Sequence, residues 1–107
     1  YIPTDNTVVD AIGSVIKISK EHSIPVISGE GSCVSKGALA TIGIDYRKLG
    51  YQTGKMAAKI LRGEAEPATM AIEGQSEYSI IVNKAAAEKL SVTLPRTLLE
   101  QDYEIIE

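Results

Sequence analysis

The stretch ATIGIDYRKLGYQTGKMAAKILRGE, Ala40 to Glu64, decides the fold. With Ala38 and Leu39 ahead of it, its first residues make a short apolar run, Ala38 to Ile44, that reads as a strand. Asp45 follows at once, and its carboxylate suits the free N–H groups of a first helical turn. Apolar and small residues then recur at Tyr46, Leu49, Gly50, Thr53, Ala57, Ile60 and Leu61, the i, i+3, i+4, i+7 spacing of one helix face. Gly50 and Gly54 lie four apart, where small residues let a helix approach a sheet closely. Gly63 stands where a left-handed C-cap is expected.

Working outward, Tyr1 and Ile2 read as the end of a strand that Pro3 stops. Thr4, Asp5 and Asn6 are helix N-cap types. Val8, Val9, Ile12, Val15, Ile16 and Ile18 then repeat with helical spacing, and Lys20 and Glu21 close the polar end. Ile24 to Ser28, IPVIS, is a continuous apolar run of the kind expected for a fully buried parallel strand. Val34 to Lys36 reads as one helical turn ending at Gly37. Downstream, EAEPAT is a loop. Tyr78, Ile80 and Val82 alternate as a strand, and Asn83 caps a short helix running to Leu90. Pro95 opens a last turn with Leu98 and Leu99, and the acidic tail QDYEIIE shows no clear pattern. Strands alternating with helices in this order predict an α/β fold with a mostly parallel sheet.

At 107 residues the chain allows one small domain, near the lower limit for a self-sufficient core. Hydrophobic residues make up 44% and charged residues 23%, which argues against disorder. Trp and Phe are absent, so aliphatic side chains must build the core. A net charge of −3 with dispersed Lys and Arg gives no support for nucleic-acid binding. No apolar run is long enough to span a membrane as a helix. The chain opens on Tyr1, without a leader or lipid-attachment cysteine, and is expected to be a fragment of a longer protein.

The lone Cys33 has no internal disulfide partner, and the lone His22 falls in the polar break KEHSIP. Together they make no zinc ligand set. No Ser–His motif and no phosphate loop accompany them. No catalytic residue, metal or cofactor is therefore assigned.

Ligands of open α/β sheets bind beyond the carboxyl ends of the strands. Three loops leave strands in that way: Pro3-Thr4-Asp5-Asn6, Gly29-Glu30-Gly31 and Ile44-Asp45-Tyr46. Asp5, Asn6 and Asp45 each serve equally well as helix caps. Glu30, flanked by two glycines after a buried strand, serves equally as an exposed turn residue. What favours a binding role is the convergence of three carboxylates at three strand ends. Enclosed carboxylates suit a cationic or hydroxyl-bearing group, such as the ammonium of an amino acid. Thr4, Asp5, Asn6, Gly29, Glu30, Ile44 and Asp45 are the candidate ligand-binding residues.

YIPTDNTV, IPVISGE, SKGALATIGIDYRKLGYQTGKMAAKILRGE and YSIIVNKAAAEKLSVTLP, in that order, resemble successive blocks of the substrate-binding proteins of ABC importers. That family includes aromatic amino-acid receptors. The resemblance covers nearly the whole chain and implies a three-layer periplasmic-binding-protein type I fold, of which this is the C-terminal portion. It implies two lobes with a solute trapped between them. Residues 1–36 and 83–107 would belong to the C-terminal lobe, 37–44 and 77–82 would be crossing strands, and the helix within 45–63 would belong to the N-terminal lobe. It also implies an extracytoplasmic protein, periplasmic or a cell-surface lipoprotein, with membrane permease subunits as partners. The first half of the family pattern is missing, so this chain by itself is expected to self-associate. Two other functions compete: the effector-binding core of a lac-repressor-like regulator, which shares the fold, and a small α/β enzyme fragment. A helix-turn-helix upstream would mark the former, and the latter lacks a catalytic set.

Overall fold

The computed structural model describes residues 1–75, 77–99 and 104–106. The chain alternates helix and strand: α1 (Asn6–Asp10), α2 (Ile12–Glu21), β1 (Ile27–Ser28), α3 (Ser32–Ser35), β2 (Ala40–Ile44), α4 (Tyr46–Leu61), β3 (Tyr78–Asn83), α5 (Lys84–Lys89), α6 (Arg96–Leu99) and β4 (Glu104–Ile106). The strands form one sheet in the order β1-β2-β3-β4. β1 pairs with β2 in parallel, Ile27 opposite Ala40 and Ser28 opposite Thr41. β3 pairs with β4 in parallel, Ile81 opposite Glu104 and Asn83 opposite Ile106. Ile2 adds an isolated parallel bridge to Ser28 on the outer side of β1. The expected parallel pairing of the segments at 24–28 and 38–44 is thus present. Of the tail, Glu104–Ile106 form β4, while residues 101–103 and 107 lie outside the described residues.

Two compact units share the chain. One comprises Tyr1–Gly43 with the described residues from Ser79 onward; the other is Ile44–Tyr78.

The core lies in the first unit. Ile2, Ile12, Ile16, Val26, Cys33 and Ala38 are buried together, with Val8, Val9 and Val15 packed against them. A smaller cluster joins Leu39, Ala86 and Ala87 to Ala40, Val92 and Leu94. Asn83 fastens the short helices to this core. Its Nδ2 donates to Val34 O at 2.9 Å and its Oδ1 accepts from Ala86 N at 2.8 Å, capping α5 as its sequence position predicts.

Two segments depart from their sequence patterns. The helix expected from Asn6 onward is two helices, broken at Ala11 (φ −88°, ψ 6°), with the flexible Gly13 just beyond. The break leaves Ile12 and Ile16 fully buried while Val8 and Val9 stay half-buried. The strand expected over Ile24–Ser28 keeps two residues, because Pro25 has no N–H to give a ladder. Nor is it fully buried. Ser28, Thr41 and Gly43 share the covered face of the β1–β2 pair, whereas Ile27 and Ile42 lie on a face left open.

In the second unit Asp45 Oδ1 accepts from Arg47 N at 3.1 Å and from Lys48 N at 3.0 Å, starting α4 as predicted. Gly63 takes φ 73°, the left-handed C-cap conformation. The apolar stripe of α4, however, buries no residue. A methyl group at Gly50 or Gly54 would meet nothing, so neither glycine packs closely on a sheet here.

Candidate functional site

The first two candidate loops leave neighbouring strand ends. Ile2 N donates to Ile27 O and Gly29 N donates to Ile2 O, each at 2.8 Å. This ladder sets Pro3–Asn6 beside Gly29–Gly31. Thr4 Oγ1 then donates to Gly29 O at 3.3 Å and ties the two loops together. The junction is close: a methyl group at Gly29 would lie 3.0 Å from both Thr4 Oγ1 and the Tyr1 hydroxyl.

Each acidic residue of this pair of loops is fixed by its backbone. Asp5 Oδ1 accepts from Val8 N at 3.1 Å and caps α1, so one of its carboxylate oxygens is committed to the helix. Asn6 is the exposed first residue of that helix. Glu30 N donates to the buried Ser28 Oγ at 3.0 Å, and Glu30 O accepts from Cys33 N at the start of α3. Glu30 is half-buried. Thr4, Asp5, Asn6, Gly29 and Glu30 therefore form one local group. Its chemistry is that of hydrogen-bond acceptance: two carboxylates, a hydroxyl and turn carbonyls, suited to an ammonium or hydroxyl donor.

Ile44 and Asp45 belong to the second unit. There Asp45, Arg47, Lys48, Tyr51, Gln52, Lys55 and Glu77 line an open cavity of about 490 Å³. Lys48 pairs with Glu77, Lys55 Nζ sits 4.6 Å above the Tyr51 ring, and Gln52 Nε2 donates to Glu73 Oε2 at 2.9 Å. The sequence pattern contained this surface: positions 48, 51, 52 and 55 follow helical spacing on the polar side of α4. Apolar periodicity alone drew attention to the opposite side.

The hydrogen bond that Lys48 donates to Glu77, then the charge of Glu77, then that of Asp45, raise the Lys48 pKa above its ordinary 10.5. A raised value in the folded state means that this stabilisation is full at neutral pH and is lost as pH rises through the folded pKa. The pair is exposed and screened by solvent, so its effect on stability is small. In Glu77→Gln the Lys48 pKa, followed by NMR, is expected to fall back towards 10.5.

The chain as a whole is similar to known proteins. The family described as ABC transporter substrate binding protein matches residues 1–106. A tyrosine-binding protein of Clostridioides difficile is 39% identical over 92 residues, covering 86% of this chain and 26% of the relative. Among solved structures, a ligand-free, open substrate binding protein with adhesive properties from Clostridium difficile is 40% identical with a TM-score of 0.77. It matches all of this chain and 35% of its own. An ABC domain from Streptococcus pneumonia in complex with L-Trp is 31% identical, TM-score 0.80, over 97% of this chain and 35% of its own. The chain thus spans about a quarter to a third of the length of the relatives it matches. The ordered sequence blocks, the parallel α/β sheet and the match over residues 1–106 agree, and the chain belongs to the ABC transporter substrate-binding protein family.

Proposed function

We propose that this chain is the C-terminal portion of a two-lobed receptor that captures a small solute and delivers it to an ABC permease. The unit built from Tyr1–Gly43 and the residues after Ser79 supplies one wall of the ligand site. The unit Ile44–Tyr78 belongs to the other lobe, and β2 and β3 carry the chain between them. The receptor works outside the cytoplasm, binds no nucleic acid and does not convert its solute chemically. The observation that carries this reading is the local group of Thr4, Asp5 and Glu30 on two tied loops at strand carboxyl ends. It offers acceptors to an ammonium group, so the solute class is an amino acid. Relatives whose names record tyrosine binding and an L-Trp complex make aromatic amino acids the first to test.

Asp5→Ala and Glu30→Ala in the intact receptor test the site. Removing a charge-assisted contact costs about 1.5–3 kcal/mol, roughly one to two decades in affinity. Calorimetry with L-tyrosine and L-tryptophan is expected to show that loss for each. Unchanged affinity in both variants would reassign Asp5 to capping alone and Glu30 to the turn.

A further inference from the structure

We propose that Gly43 is a positioning residue of the ligand site, through its contact with the loop that carries Glu30. This rests on the assignment of Thr4, Asp5 and Glu30 to the site. Gly43 lies in β2, two residues after Thr41, and both face the covered side of the sheet. The Gly29–Gly31 loop lies against Gly43. A methyl group at Gly43 would lie 2.9 Å from Thr41 Oγ1, 3.2 Å from Gly29 O and 3.7 Å from Gly31 N. Thr41 is only 1% exposed and its Oγ1 has no hydrogen-bond partner, so this part of the strand is closely covered.

The contact with Gly29 O carries the consequence. A carbonyl oxygen is backbone and cannot rotate aside as a side-chain tip can. The same oxygen accepts the Thr4 Oγ1 hydrogen bond that ties the two loops. A methyl group on Gly29 itself would lie 3.0 Å from Thr4 Oγ1 and from the Tyr1 hydroxyl. Any side chain at residue 43 therefore displaces Gly29, and with it Glu30, relative to Thr4 and Asp5. The absence of a side chain at residue 43 fixes the spacing of the two acidic loops. Gly31 differs, because a methyl group there would meet only the Cδ1 tip of Ile81, which can move.

Gly43→Ala in the intact receptor is the test, with L-tyrosine and L-tryptophan as probes. Affinity is expected to fall about tenfold, since binding groups must be held within about 0.5 Å of productive geometry. Gly63→Ala is the control for stability loss alone. It strains a left-handed C-cap at φ 73° with open space around it, so it should lower the melting temperature and leave affinity unchanged. Amide NMR signals of Gly29, Glu30 and Gly31 should shift in Gly43→Ala. Signals shifting only at residues 41–43, with affinity within twofold of the parent, would overturn the inference even if Asp5→Ala and Glu30→Ala weaken binding. Conversely, shifts at Gly29–Gly31 in a receptor indifferent to Asp5→Ala and Glu30→Ala would sink the site assignment and keep the loop contact. Should Gly43→Ala fold poorly, Thr41→Ala/Gly43→Ala removes the nearest obstruction and retains the one at Gly29 O. It should bind more weakly than Thr41→Ala alone; equal affinity overturns the inference.

Discussion

Replacing Ile12 by alanine should destabilise the chain by about 2–5 kcal/mol. Ile12 is 1% exposed and sits among Ile2, Ile16, Val26, Cys33 and Ala38. The alanine loses the transfer free energy of the missing carbons and leaves a cavity that the β1 ladder and α3 cannot fill. Small domains are stable by only about 5–15 kcal/mol in total, so the loss is a large share. Leu61→Ala should change stability by no more than about 0.5 kcal/mol, because Leu61 is 87% exposed in this chain. Urea unfolding checks both: the midpoint should drop sharply for Ile12→Ala at constant slope and stay put for Leu61→Ala. Equal midpoints for the two variants would mean that the cluster around Ile12 is not the core.

The chain by itself should bind L-tyrosine or L-tryptophan at least 1000-fold more weakly than the intact receptor, a difference of about 4 kcal/mol. A two-lobed receptor encloses its solute, whereas the local group at Thr4, Asp5 and Glu30 supplies one wall. The same chain leaves apolar surface uncovered on both units. Ile27 and Ile42 lie on the open face of the sheet, and Tyr46, Tyr51 and Leu61 lie exposed along α4. Parallel sheets are ordinarily covered on both faces, and surfaces of this kind associate. Light scattering should therefore show oligomers at micromolar concentration, dissolving when Ile42→Ser and Leu61→Ser are combined. A monomer that binds either amino acid at sub-micromolar concentration would overturn the need for the second wall.

Local chemistry was legible in the sequence and long-range chemistry was not. Asp45, Asn83 and Gly63 announced their caps because each cap is settled within four residues. The strand at β2 followed from its own apolar run and that at β3 from the alternation of Tyr78, Ile80 and Val82. The break at Ala11 depends on how Ile12 and Ile16 meet the core, which no window of sequence contains. The stripe on α4 was read correctly as a helix face, but its burial depends on a partner the pattern does not include. In the site, the turn chemistry of Pro3–Asn6 and Gly29–Gly31 was visible. The Thr4 to Gly29 bond and the closeness of Gly43 to that loop join residues 25 and 14 positions apart and required coordinates.

The strand order has a consequence for synthesis. Ile2, β1, β2, β3 and β4 lie side by side in the order in which they are translated. No strand has to be inserted between two that are already paired, so the sheet can lengthen at one edge as polypeptide leaves the ribosome. The long pause in that growth falls between β2 and β3, while residues 45–77 emerge. During it β2 is an unpaired edge carrying Ile42, a template for the wrong strand. A nascent-chain arrest placed within those residues should be where chaperone occupancy peaks, and it should subside once Tyr78–Asn83 are free to pair.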